Sequence, residues 1–83
     1  MHNLEELKKG VIEIVADIAE LEIDEVSPDA TLEDLGVDSL GGLRIVAAVE
    51  KKYKLVIDEQ EIMKIRTMPD VFSLVERHLP DVE

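Results

Sequence analysis

The sequence predicts an all-α protein, a four-helix bundle of three longer helices and one short one, and three observations carry that prediction. Apolar residues recur at three- and four-residue intervals in separate stretches, the period of a helix with one buried face. Capping residues precede those stretches, and Pro80 follows the last. Only residues 54–57, Lys-Leu-Val-Ile, read like a strand. A lone strand leaves its backbone groups unpaired, so this segment is expected to be a loop with its apolar residues tucked inward.

The first helix is expected from residue 4 to about residue 21, with Leu4, Leu7, Val11, Ile14, Val15, Ile18 and Leu21 on one stripe. Asn3 caps its start, and Glu6 completes a pair resembling a capping box. Gly10 inside it costs about 1 kcal/mol relative to alanine. Residues 22–37 form a long acidic connection in which Ser27-Pro28-Asp29 makes a turn and Leu32, Leu35 and Val37 pin the loop to the core. A connection this long inside a small domain tends to be functional. The second helix begins at Asp38 or Ser39 and runs to about Tyr53, with Leu40, Leu43, Val46, Val49 and Tyr53 lining one face and Ile45 beside them. A short helix follows at about 58–65, with Ile62 and Ile65 as its apolar pair. The last runs from about 69 to 79, with Thr67 as cap, Asp70 three residues on, and Pro69 in the first turn.

At 83 residues the chain is expected to form a single domain spanning 1–83. A chain this small buries only roughly 60% of its unfolded surface. It has no cysteine for a disulfide or thiolate metal site, and Tyr53 and Phe72 are its only aromatic residues. The core must therefore be aliphatic. Nine basic against twenty acidic residues leave a net charge of −11. That sign opposes nucleic acid and anionic membrane and favours partners with a basic patch. No signal peptide or membrane-spanning run is legible, so a cytoplasmic location is expected.

No catalytic site is legible. His2 and His78 have no nucleophile in sequence reach, and no zinc-protease, phosphate-loop or calcium-loop motif is present, so neither an enzyme nor a metal site is expected. The acidic connection reads as a solvated surface rather than a calcium site. The informative string is Leu35-Gly36-Val37-Asp38-Ser39-Leu40. Gly36 allows a tight turn, and Ser39 falls in a first helical turn, where unpaired N–H groups and the helix dipole favour an attached anion. Its hydroxyl needs no base within this chain if another enzyme activates it, which is the logic of a modification site. The same Asp-Ser pair is also an ordinary helix cap, and both readings remain open on these residues alone.

With Leu-Gly-Val-Asp-Ser-Leu in mid-chain of a small acidic helical domain, the sequence resembles the acyl carrier protein family over nearly its full length. The resemblance implies a carrier whose Ser39 bears 4′-phosphopantetheine, with Asp38 helping to present that serine to a phosphopantetheinyl transferase and its magnesium. It implies a monomer serving acyl-transferring and acyl-modifying enzymes in fatty-acid, lipid-modification or secondary-metabolite biosynthesis. It also implies an acyl chain slipping between helices, for which Leu35, Val46, Val49, Ile62, Ile65, Val71, Leu74 and Val75 are the candidate lining residues. All eight serve equally as plain core. Two alternatives stand beside this reading, a peptidyl or aminoacyl carrier and an acidic interaction module in which Ser39 only caps a helix.

The chain departs from the family in its second helix, which is usually an acidic recognition face. Leu40, Gly41, Arg44, Ile45 and Glu50 are the candidate recognition residues. Gly41 and Arg44 stand where acids are common, and Glu50 is retained but followed by Lys51, Lys52 and Lys54. Residues 38–54 hold two acids and four bases, a local charge of +2, while residues 1–37 carry −9 and residues 55–83 carry −4. Such a helix opposes a basic docking patch and points to a dedicated partner set. Gly41 and Gly42 together cost about 1–2 kcal/mol in helix propensity. They are expected to loosen the helix start or to admit a close approach.

Overall fold

Asn3 accepts the Glu6 N–H at 2.8 Å and so opens helix α1, Leu4–Ala19. The computed structural model describes residues 3–79. Among them the cap is one-sided, because Glu6 makes no return bond to Asn3. Helix α1 ends two residues before its apolar stripe does: Glu20 turns left-handed (φ 59°), and Leu21 donates back to the Ala16 carbonyl at 2.9 Å. Leu7, Val11, Val15 and Ala16 are buried, as the stripe requires.

Helix α2 spans Ser39–Tyr53, helix α3 Glu59–Ile62 and helix α4 Met68–His78. Helix α1 packs on α2 and on α4, and α3 leans on α2. The core is Leu7, Val11 and Val15 of α1, Ile45, Val46 and Val49 of α2, and Met68, Val71, Phe72, Leu74 and Val75 of α4. Gly10 earns its place through contact: a Cβ there would collide with the Tyr53 hydroxyl of α2. Its propensity cost is exchanged for close approach of the two helices.

The acidic connection is more ordered than its composition suggested. It contains a 3₁₀ turn, Ile23–Glu25, closed by reciprocal bonds between Glu22 and Glu25. Ser27 makes the expected turn, accepting the Asp29 N–H at its hydroxyl (3.3 Å) and the Ala30 N–H at its carbonyl (3.1 Å). A single antiparallel bridge between Thr31 and Thr67 fixes the loop against the start of α4: Leu32 donates to the Arg66 carbonyl and Met68 to the Ala30 carbonyl, both at 2.9 Å. Leu32 and Leu35 are buried and Val37 is partly so.

Helix α3 is shorter than the expected 58–65, because Lys64 and Ile65 bond three residues back and the turn tightens after Ile62. In residues 54–57 Ile57 is buried and Leu55 partly buried, but Val56 is 87% exposed, correcting the expectation that all three turn inward. Thr67 and Asp70 form a full capping box on α4, with Pro69 in the first turn. Pro80 and His2 lie outside the described residues.

Candidate functional site

Asp38 is the cap of α2. Its Oδ1 accepts the Gly41 N–H at 2.8 Å, so Ser39 is the first helical residue and not the cap. Among the described residues the Ser39 hydroxyl has no hydrogen-bond partner, and the side chain is exposed. Gly36 reverses the chain just before, in the left-handed region (φ 76°). With no acid in the first turn of α2, the N–H groups of Ser39 and Leu40 face outward without an intrahelical acceptor. A negative group on the Ser39 oxygen would lie in the positive end of the helix field.

Ser39 stands at the mouth of an open groove of about 600 Å³ between α2 and the α3 segment. Its apolar wall is Leu32, Val37, Leu43, Ile62, Met63 and Ile65, and its polar rim is Glu33, Asp38, Glu59 and Arg66. Arg66 is held there by its own backbone, its guanidinium donating to the Met63 carbonyl at 2.8 Å and the Ile65 carbonyl at 3.1 Å. Gly42 also lines the groove, and a Cβ on it would meet nothing within 4 Å. The groove is thus partly the space that a side chain at 42 would fill. Gly41 differs: a Cβ there would lie 2.9 Å from Val37 Cγ1, so this glycine serves contact between the preceding loop and the helix.

The far wall is tied to α4 by an ion-pair cluster. Glu61 of α3 meets His78 of α4 at 2.9 Å and Arg77 at 3.7 Å. The His78 hydrogen bond holds the Glu61 carboxyl below its ordinary value. Just beyond the groove, the Arg66 N–H is the main cause of a lowered Asp70 value, with Thr67 adding to it.

The structure sorts the candidate residues differently from the sequence. Of the eight expected to line an acyl site, only Ile62 and Ile65 face the groove. Leu35, Val46, Val49, Val71, Leu74 and Val75 are closed in the core, packed against one another by the bundle. Ile45 is 0% exposed, so it belongs to the core and not to a recognition surface, because it is packed within the apolar cluster of the bundle rather than turned to solvent. Glu50 accepts the Ile57 N–H at 2.9 Å and so braces the loop after α2 rather than facing outward. Conversely Leu40 and Leu43, placed by their spacing on one face with Val46 and Val49, are 58% and 47% exposed, which for Leu40 fits its other expected place on the recognition surface. Their helix is rotated so that Gly42, Ile45, Val46 and Val49 point inward. Gly42, Leu43, Met63 and Arg66 were not anticipated at the groove. The one local hint was Met63, a large apolar residue directly after Ile62.

The phosphopantetheine attachment site family matches residues 9–74, a span that includes Ser39 and both walls of the groove. The chain is 33% identical to an acyl carrier protein of Rickettsia bellii over 94% of its own length and 92% of that protein. The chain belongs to the acyl carrier proteins. It is 37% identical to a polyketide-8 synthase acyl carrier protein of Streptomyces avermitilis, covering 89% of this chain and 86% of that one. The crystal structure of an acyl carrier protein from Thermotoga maritima superposes with a TM-score of 0.79 at 27% identity, over 90% of this chain and 88% of the other. The cofactor of the family is 4′-phosphopantetheine, and its members are generally non-catalytic carriers served by a phosphopantetheinyl transferase and by acyl-processing enzymes. Among the described residues no helix is long and apolar enough to cross a membrane.

Proposed function

We propose that this carrier holds its arm on Ser39 and works as one domain over 1–83, a monomer in the cytoplasm. The observation that carries the assignment is the unpartnered Ser39 hydroxyl at the first residue of α2, beside a groove with an apolar wall. In the modification, the Ser39 oxygen attacks the pyrophosphate of coenzyme A and forms a phosphodiester, adenosine 3′,5′-bisphosphate leaves, and the hydroxyl proton passes to the transferase. The thiol at the end of the bound arm supplies the thioester chemistry, which this chain, with no cysteine, does not supply itself.

The roles of the chain's own residues follow from their places. Asp38 uses Oδ1 to cap the helix, which leaves its second oxygen for the transferase and its magnesium. The outward N–H groups of Ser39 and Leu40 stabilise the phosphodiester charge. Leu43, Ile62, Met63 and Ile65 offer the arm and the first carbons of its cargo an apolar wall. Leu40 and Arg44 are exposed to partner enzymes. The chain itself performs no chemistry on the cargo.

The test is the intact mass before and after incubation with coenzyme A, magnesium and a broad-specificity phosphopantetheinyl transferase. The native chain is expected to gain one phosphopantetheine and Ser39→Ala none. A folded native chain that stays unmodified by this transferase, with a standard carrier modified in parallel, and that is also bare when isolated from its native source, would overturn the assignment.

A further inference from the structure

The outward face of α2 has the opposite charge to the rest of the molecule, and the tertiary structure makes it so. Helical period places Leu40, Arg44, Ala47 and Lys51 in one line, and all four are exposed. Neither acid of this region stands in that line: Glu50 holds the Ile57 N–H, and the exposed Asp38 precedes the helix, capping it with one oxygen at Gly41. Among the described residues neither Arg44 nor Lys51 pairs with a carboxylate. The line therefore presents bases without acids, in a chain whose net charge is −11. Beside it lie the exposed apolar side chains Leu40, Leu43 and Met63.

We infer that this face is a docking surface for a protein partner whose contact patch is acidic, with Leu40, Leu43 and Met63 as the apolar centre and Arg44 and Lys51 as the charged rim. The inference rests on the carrier reading for its place beside Ser39, and it names the chemistry of the partner. An apolar centre with a charged rim is the ordinary anatomy of a transient interface. Rim charges chiefly steer encounter and reject partners of the same sign. An extended polyanion fits poorly, because a membrane or nucleic acid would also meet the acidic segments flanking the helix. A compact acidic patch can engage the line while meeting fewer of those acids, and charges farther than about 8 Å are largely screened at physiological salt.

The test measures binding in the absence of coenzyme A, so that no modification occurs. The probes are a broad-specificity phosphopantetheinyl transferase with a basic carrier-docking surface and the same enzyme with those bases replaced by glutamate. The native chain is expected to bind the glutamate version more tightly, on the order of tenfold, with the difference shrinking as salt rises. The double variant Arg44→Glu, Lys51→Glu is expected to reverse the preference, and Ala47→Glu to weaken it without removing either base. Equal affinity for both enzymes, or no binding to either, overturns the acidic partner and leaves the mass test of Ser39 to judge the carrier reading. Binding to phosphatidylglycerol vesicles that the double variant abolishes overturns the protein assignment in favour of a membrane surface.

Discussion

Helix α2 faces two different environments, and the contrast separates what holds the fold from what leaves room for a ligand. On its inner side Ile45, Val46 and Val49 are sealed in one apolar cluster with Leu7, Val11, Met68 and Leu74. Toward α3, Gly42 and Leu43 border an open groove whose other wall, the 59–66 segment, buries Ile65 but leaves Ile62 half-buried and Met63 exposed. Burial drives stability roughly in proportion to apolar area, so the first side carries more of the free energy than the second.

The largest expected effect tests that division directly. Leu74→Ala, in the sealed side, should cost about 2–5 kcal/mol in denaturant unfolding. Ile62→Ala, in the groove wall, should cost about 1 kcal/mol, because its side chain is only partly removed from water. Equal costs would mean that the groove wall is part of the cooperative core.

Two glycines sharpen the comparison at a smaller scale. Gly10→Ala is expected to destabilise by about 1–3 kcal/mol in spite of its better helix propensity, since the new methyl meets the Tyr53 hydroxyl between α1 and α2. Gly42→Ala places its methyl in the open groove and is expected to stabilise by up to about 1 kcal/mol. Thermal unfolding of the pair reads both signs in one experiment.

The smallest effects are electrostatic and acid-sensitive. Asp70 and Glu61 have folded values below the ordinary carboxylate value, Asp70 chiefly through the Arg66 N–H and Glu61 chiefly through His78. A lowered value means that protons bind the unfolded chain more readily. Each group therefore adds stability above its unfolded value and loses it as pH falls through the folded one. Thermal midpoints followed from about pH 7 to about pH 3 should fall at the acid end, and Asp70→Asn should flatten that fall. Glu61→Gln should change it less, because exposed pairs are screened by solvent. It should instead raise hydrogen exchange in α3, the element that its contact with His78 ties down.

The order and limits of the helices were largely legible in the sequence because the signals are local. Asn3, Asp38 and Thr67 each bond an N–H three residues ahead, so a reader of the chain sees cap and helix together. The same locality made Ser39 conspicuous, through Gly36 before it and the apolar period after it. The groove was not legible, because its walls come from residues 32–43 and 59–66, and nothing near either segment specifies the other.

What the sequence by itself determined was the all-α class, the caps, the apolar stripe of α1, the position of Ser39 and, through the motif around it, the carrier family, while the expected aliphatic core takes in one aromatic ring, Phe72 of α4. What only the tertiary structure decided was the rotation of α2 about its own axis. Apolar residues occur on more than one side of that helix, so its periodicity allowed Leu40 and Leu43 to be read as inner and Ile45 as a recognition residue. Packing of the bundle settles the choice by burying Gly42, Ile45, Val46 and Val49, which leaves Leu40, Arg44 and Lys51 to the solvent. The same packing brings the 54–57 loop under Glu50, and so decides that the one acid in the body of α2 serves the backbone and not a partner.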